Sequence, residues 1–374
     1  MRSRIVASRA ARQGSARALS RYRDNAARHL IGISRDLQGR LIRLLSGEYG
    51  YRGLRPSLGP FLSLVWIEGR PLTAIASQLG ISKQACGQLA NLAERAGYLE
   101  RKPDPQDRRA KLVMLSPRGR ALIEHAVGII GEIESEYAGL VGRQSYRRLT
   151  MSLASLYEGM GIPTHADRAL TAAAKQSVGL LPLIAVRVQQ DLMEATIGRG
   201  HVGLKMSHGL LLPFIAPEGA RVHQIARIQR VSRQAISATS QDLEALGYLR
   251  RETDPRDRRG VVLRLTKRGT RLIRDSVAAL DGLERSFRDI LGAPRLEQFQ
   301  QVARDLYRAL HLEEEIFAAR AEGPAEPNSN GDPRLENGAN DIHGLAKSLR
   351  RQLGRHDSAR LAALLEPRAK STAT

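Results

Sequence analysis

The sequence predicts a mainly α-helical fold in which one unit, closed by a small β-hairpin, occurs twice in a single chain of 374 residues. Two observations carry this. The first is a near copy: Gly97-Tyr98-Leu99-Glu100-Arg101-Lys102-Pro103-Asp104-Pro105-Gln106-Asp107-Arg108-Arg109 returns as Gly247-Tyr248-Leu249-Arg250-Arg251-Glu252-Thr253-Asp254-Pro255-Arg256-Asp257-Arg258-Arg259, an offset of 247 − 97 = 150. The second is what flanks each copy, an amphipathic helical pattern before it and a short apolar segment after it, Leu112 to Leu115 and Val261 to Leu265. A short strand, a turn with Asp and Pro, paired arginines and a second strand make a hairpin with cations at its tip. Between residues 59–123 and 209–273 roughly a third of positions are identical without a gap, and so long a period repeats a whole domain rather than a solenoid unit.

In chain order, Leu30, Ile33, Leu37, Leu41, Leu44 and Leu45 recur at steps of three and four, which predicts an amphipathic helix from about Leu19 to Ser46. Glycines at 47, 50 and 53 end it in a loop. Gly59 to Ile67 reads as a short apolar helix, and Thr73 to Leu79 as a second with Ile75, Ala76 and Leu79 on one face. Gly80 is a turn, and Ser82 is a suitable N-cap for a third helix. Two short helices and a tight turn before a longer helix read as a helix-turn-helix, and the hairpin beside it as a wing. Ser116-Pro117 then opens a long helix carrying Leu122, Ile123, Val127, Ile130, Ile133, Tyr137 and Leu140, and another follows from about Tyr146 to Tyr157.

Gly159 to Thr164 reads as the linker, and the second copy repeats the plan. Its helices are predicted over Val178 to Ile197, Ser207 to Ile215 and Val222 to Ile228, then after Ser232, from Thr266 to about Leu291, and from Pro294 to about Ala319. The domain expectation is a basic arm over 1–18, winged units over 19–160 and 161–320, and a low-order tail over 321–374 with room for a short helix. The arm is rich in arginine and lacks acids, as transit peptides are, but equally suits a disordered basic arm or an over-long start.

Composition narrows the function. The net charge is +21, from 59 basic and 38 acidic residues, which points to an anionic polymer or surface as partner. Aromatic content of 4% argues against the stacking platforms of single-strand RNA binders. A single cysteine excludes an internal disulfide framework and fits a reducing cytoplasm. The nine histidines form no cluster at ligand spacing, so no metal or cofactor is expected. No apolar run approaches the ~20 residues of a membrane span. Neither a nucleophile–base pair nor a phosphate loop stands out, so an enzyme is not expected.

The third helix of each unit carries the chemistry. Cys86, Leu89, Ala90 and Ala93 fall inward, while Lys83, Gln84, Gly87, Gln88 and Asn91 face out beside the Ser82 cap. Donors and acceptors at a helix N-terminus, with small residues admitting the backbone, suit the edges of bases in a DNA major groove, although any solvated helix face shows the same pattern. Copy two offers Ser232, Arg233, Gln234, Ser237 and Gln241. Cations on the hairpin tips, Arg108 and Arg109 and again Arg258 and Arg259, suit a minor groove. Cys86 is matched by Ile236, which favours a core thiol over a redox sensor.

Each copy resembles the MarR family of bacterial transcription regulators. The shared features are a long first helix, a helix-turn-helix ending in "GYLE" or "GYLR", and the wings "DPQDRRAKLVMLSPRGRALI" and "DPRDRRGVVLRLTKRGTRLI". The resemblance covers about 19–160 and 178–319. It implies that the third helix enters a major groove, that Arg109 and Arg259 stand at wing tips, and that Asp107 and Asp257 aim them. It also implies a small aromatic or phenolic ligand between the dimerisation helices and the DNA-binding lobes, which no residue here identifies. Family members are usually homodimers of single-domain chains. Two copies in one chain instead predict an intramolecular pseudo-dimer joined by long packing helices.

The function expected is therefore a cytoplasmic, nucleoid-associated, sequence-specific double-stranded DNA-binding transcription regulator, a ligand-responsive repressor. Its rivals are a nonspecific architectural DNA-binding protein and a winged-helix protein-interaction module.

Overall fold

A computed structural model describes residues 14, 16–66, 69–104, 111–162, 177–216, 218–229, 231–254 and 260–312. Within these, the first unit runs α1 (Ala26–Gly47), α2 (Leu58–Leu64), β1 (Arg70–Pro71), α3 (Leu72–Leu79), α4 (Lys83–Arg95), β2 (Leu99–Pro103), β3 (Lys111–Leu115), α5 (Pro117–Val141) and α6 (Arg143–Gly159). The second runs α7 (Leu181–Ile197), α8 (Met206–Leu211), β4 (Ala220–Arg221), α9 (Val222–Gln229), α10 (Arg233–Ala245), β5 (Leu249–Thr253), β6 (Val261–Leu265), α11 (Lys267–Leu291) and α12 (Ala293–Ala309). From α3 onward every element keeps the sequence offset, as in 233 − 83 = 150 and 293 − 143 = 150. The tail over 321–374, and residues 1–13 of the expected basic arm, lie outside the described residues.

The long first helix expected from about Leu19 is broken in two. Residues 16–23 are helical, including three assigned to the basic arm, and α1 starts afresh after Asn25. The Asn25 side chain explains the break: Oδ1 accepts from Arg28 N at 3.0 Å while Nδ2 donates to the Arg21 and Tyr22 carbonyls, capping both helices at once. In copy two α8 stops at Leu211 and continues as a 3-10 turn, Leu212–Phe214, because Pro213 has no N–H to extend an α-helix.

The last helix ends at Ala309, ten residues before the expected Ala319. His311 adopts a left-handed φ of 56°, and Leu312 N donates back to Tyr307 O at 3.2 Å. That reversal satisfies the terminal carbonyls and stops the helix. Gly161, at the matching place in copy one (311 − 161 = 150), does the same with a φ of 61°.

Each wing belongs to a three-stranded antiparallel sheet, in the orders β1-β3-β2 and β4-β6-β5. The two-residue strands β1 and β4 were not expected, since Arg70–Pro71 and Ala220–Arg221 are too short to show alternation. Their pairing with β3 and β6 ties the helix-turn-helix to the wing base, through Arg70↔Val113 and Ala220↔Leu263. The serine and threonine caps of α5 and α11 hold the other end of the sheet: Ser116 Oγ and Thr266 Oγ1 each accept from the Gly three residues on and donate to the carbonyl of Gly97 or Gly247. Those glycines, Gly119 and Gly269, sit so close to Tyr98 O and Tyr248 O that a Cβ would come within 2.0 and 2.1 Å. The Arg-Gly step of the repeated motif is thus a close helix–strand contact.

The long helices of both copies form one core. α1 packs on α7 and α12, α6 on α7, α11 and α12, and α5 on α12. The contacts are reciprocal, α5 touching α12 as α11 touches α6, which is the pattern a pseudo-twofold relation produces. Leu30, Ile33 and Leu37 of α1 are fully buried there, each such side chain contributing about 1.5–3 kcal/mol. On α5 the buried line runs Leu122, Ala126, Ile129, Ile133 and Tyr137. Val127 and Leu140, expected on that face, are 50% and 48% exposed, because Val127 falls beside the line and Leu140 lies in the last turn beyond it. Among the described residues no helix is long and apolar enough to cross a membrane.

Candidate nucleic-acid interface

In each unit two short helices place the third with its N-terminus outward. In copy one α3 ends at Gly80, whose φ of 62° makes the tight turn, and Ser82 caps α4 by accepting from Ala85 N at 3.1 Å. In copy two Ser232 caps α10 on Ala235 N at the same 3.1 Å. The inner face of α4 is anchored by Cys86, Ala90 and Ala93, and that of α10 by Ile236, Ser240 and Leu243, all buried. Cys86 is 0% exposed, its thiol lies 3.4 Å from Leu72 O, and burial pushes its pKa up. It packs as the sequence comparison with Ile236 expects.

With those faces fixed, Ser82, Lys83, Gln84 and Gln88 are all exposed on the first turns of α4. Ser232, Arg233 and Gln234 are exposed on α10. Ser237 is not fully available: it is half-buried, and its hydroxyl accepts from Arg251 Nη2 at 3.2 Å. The exposed set joins free backbone N–H groups at each helix start to long side chains able to donate and accept. Lys83 and Arg233 add one cation to each first turn.

The wing stems are described as far as Pro103↔Lys111 and Thr253↔Val261. The tip residues Asp107, Arg108, Arg109, Asp257, Arg258 and Arg259 lie outside the described residues. What the stems do show is a residue pair that sequence reasoning missed. Arg101 on β2 hydrogen-bonds Asn91 of α4 and pairs with Glu94 at 3.4 Å. Its counterpart Arg251 donates from its backbone N to Glu244 at 2.9 Å and from its side chain to Ser237. Each arginine stitches the wing to the third helix, so the two surfaces are held as one. The signal was present: Arg101 and Arg251 occupy one repeated position inside the motif (251 − 101 = 150). Asn91, read from sequence as an outward donor, is committed to this tie.

The units are not identical behind this surface. In copy one Tyr51 Oη lies 2.9 Å from His125 Nδ1. In copy two the matching positions hold His201 and Asp275, 2.8 Å apart, with His201 Nδ1 also 3.2 Å from Tyr248 Oη. Both pairs join the loop after the first long helix to α5 or α11. Arg118 and Arg268 stack near the buried Tyr98 and Tyr248 rings at 5.8 and 4.8 Å. Among the described residues no group of His, Cys, Asp or Glu is arranged to hold a metal ion.

Comparison with known proteins gives one recurrent similarity. The MarR family model matches the chain twice, over residues 63–110 and 202–260, each segment spanning a helix-turn-helix and the start of its wing. Among solved structures, the transcriptional regulator Tm0710 from Thermotoga maritima aligns at 26% identity over 28% of this chain and 74% of its own, with a TM-score of 0.23. A mutant of MepR from S. aureus, bound to an oligodeoxyribonucleotide, aligns at 22% identity over 29% of this chain and 77% of its own, with a TM-score of 0.24. A MarR-family transcriptional regulator from Rhodococcus sp. RHA1 aligns at 20% over 41% and 98%, with a TM-score of 0.30. None of the curated proteins matches.

Proposed function

We propose that this chain, which carries two MarR-type winged helix-turn-helix units in tandem, is a sequence-specific double-stranded DNA-binding repressor that works as an intramolecular pseudo-dimer. The observation that supports this most is the packing of α1, α6, α7 and α12 from both copies within one chain, with the starts of α4 and α10 left exposed. Linkage makes that pairing intramolecular, with an effective concentration near millimolar for a short linker, so it outcompetes pairing between chains. Units 19–160 and 161–320 then each read one half-site, and the two lie about 10 bp apart, one helical turn. Ser82, Lys83, Gln84 and Gln88, with Ser232, Arg233, Gln234 and Ser237, meet base edges and phosphates. Arg108, Arg109, Arg258 and Arg259 enter the flanking minor grooves, aimed by Asp107 and Asp257. Occlusion of a promoter represses, and a small ligand between the long helices and a DNA-binding lobe changes the spacing of the two readers. Such a regulator resides in the cytoplasm on the nucleoid.

The test joins light scattering of the free protein and of its complex with footprinting. One chain per site, with an imperfect palindrome protected, is expected because Gln88 is matched by Ala238. Two chains per site with four wings engaged overturns the pseudo-dimer. Equal affinity for a selected site and for random duplex at one stated salt concentration overturns sequence specificity and leaves an architectural protein. No duplex binding at all leaves a protein-interaction module.

A further inference from the structure

The turn that leads into the third helix of copy one is held from copy two. α3 ends at Leu79, and two of its last carbonyls are closed locally, Ser77 O by Gly80 N at 3.2 Å and Ala76 O by Ile81 N at 3.0 Å. That closure does not reach Leu79 O, the last carbonyl of the helix. Gln190 of α7 fills the place, donating Nε2 to Leu79 O at 2.5 Å. The same side chain lies against Gly80, where an added Cβ would come within 2.1 Å of Nε2. Only Gly80 and Ile81 separate Leu79 from the Ser82 cap, so a bond at Leu79 fixes where α4 begins. α7 also packs on α2, which braces the contact on a second element of the same lobe.

Copy two does not repeat this arrangement among the described residues. The residue matching Gln190 is Arg40 (190 − 40 = 150), and it is taken by Asp36, at 3.2 Å, and by Glu136, both on long helices of copy one. The sequence places Arg230 where copy one has Gly80, so the matched pair would set two cations against each other. Gln229, at Leu79's place, gives its side chain to its own lobe, donating Nε2 to Leu210 O at 2.6 Å.

The lobe of copy two is tied elsewhere, behind α8. Arg23 donates Nε to Pro213 O at 2.7 Å, in the 3-10 turn that continues that helix. Copy one cannot repeat this tie, because Ala173, with no donor on its side chain, stands in the matching place (173 − 23 = 150).

We propose that Gln190 is a positioning residue for DNA reading: from α7 of copy two it fixes the angle of the copy-one recognition helix, while the copy-two recognition helix pivots on the anchor behind α8. The inference rests on the regulator reading above and deepens it, giving the chain one fixed reader and one adjustable reader. Amide hydrogen exchange on the full chain tests the tie without DNA. In the parent, protection should be greater over residues 79–82 than over 229–232. Gln190→Met, and Gln190→Glu as a same-sized change that removes the donor, should speed exchange over 77–84 about two- to tenfold, the factor that one net hydrogen bond contributes. Exchange over 227–234 should stay constant, and Arg40→Met should not speed it selectively. DNA then reports the positioning. Base-by-base substitution of a selected site should show discrimination reduced in one half only, the half that Gln84→Ala also affects, with affinity for random duplex unchanged. Equal protection of the two turns, no change over 77–84 in either variant, matched changes in both turns, or a loss shared by both halves each overturns the proposal. No duplex binding by the parent strikes the regulator reading instead, and the exchange results then decide the tie by themselves.

Discussion

Gly32 of α1 lies against the ring of Tyr307 on α12, so close that a Cβ on the glycine would meet Tyr307 Cε2 at 2.4 Å. The ring cannot easily withdraw, because its hydroxyl donates to Leu312 O at 3.0 Å and the His29 ring lies 4.9 Å from it. The contact joins the first long helix of copy one to the last helix of copy two, so it reports on the pseudo-dimer itself.

Gly32→Val should therefore destabilise the fold by about 1–3 kcal/mol or more through overpacking. In urea unfolding the midpoint should fall, and combining the change with Tyr307→Ala should recover part of the loss. An unchanged midpoint in the single variant would mean that α1 and α12 do not meet this way in solution.

His29 makes the same interface sensitive to acid. Burial drives its pKa from 6.5 down to about 4, against the pull of Asp24, whose carboxylate lies 2.7 Å away. Because the folded value is depressed, the unfolded chain binds more protons between pH 6.5 and 4, and stability falls as pH drops through that window. The loss should be on the order of 2–3 kcal/mol and level off below pH 4. Urea titrations at stepped pH check it, and His29→Gln should flatten the slope; a parent protein with no slope there refutes the assignment.

Wing and helix should act as one reader. Replacing both Arg109 and Arg259 with alanine removes two charged contacts of about 1–3 kcal/mol each, so affinity for the site should drop a hundredfold or more with the fold intact. Arg101→Met and Arg251→Met, which cut the ties to Asn91 and Ser237, should instead reduce discrimination between sites more than affinity for random duplex. Gel-shift titrations against both duplexes distinguish the two patterns, and unchanged affinity in the alanine pair removes the wing assignment.

Cys86→Val should bind DNA as the parent does and leave any response to peroxide unaltered, since the thiol is buried with a raised pKa. Oxidant-triggered release from DNA that disappears in this variant would show α4 to hold a thiol switch.

The repeat made much of this legible in advance. The caps Ser82, Ser116, Ser232 and Thr266 were readable because a hydroxyl before an apolar run is a local signal. The break at Asn25, the left-handed stop at His311 and the strands β1 and β4 were not, because each depends on a contact or a backbone angle rather than on periodicity. Gln84 and Gln234 were expected on the outward side of the third helix and lie exposed there, while the Arg101–Asn91 tie became visible only once strands and helices were placed side by side.

The paired exchange of Tyr51–His125 for His201–Asp275 has a bearing on how such a protein changes over generations. In a homodimer every substitution is made twice, so neither half can be retuned without the other. Here both partners of one contact differ from their counterparts while the opposite half keeps its own solution. Each third helix is thus free to drift by itself, and under the half-site reading proposed above a single mutation rewrites one half of a DNA address and leaves the other half legible.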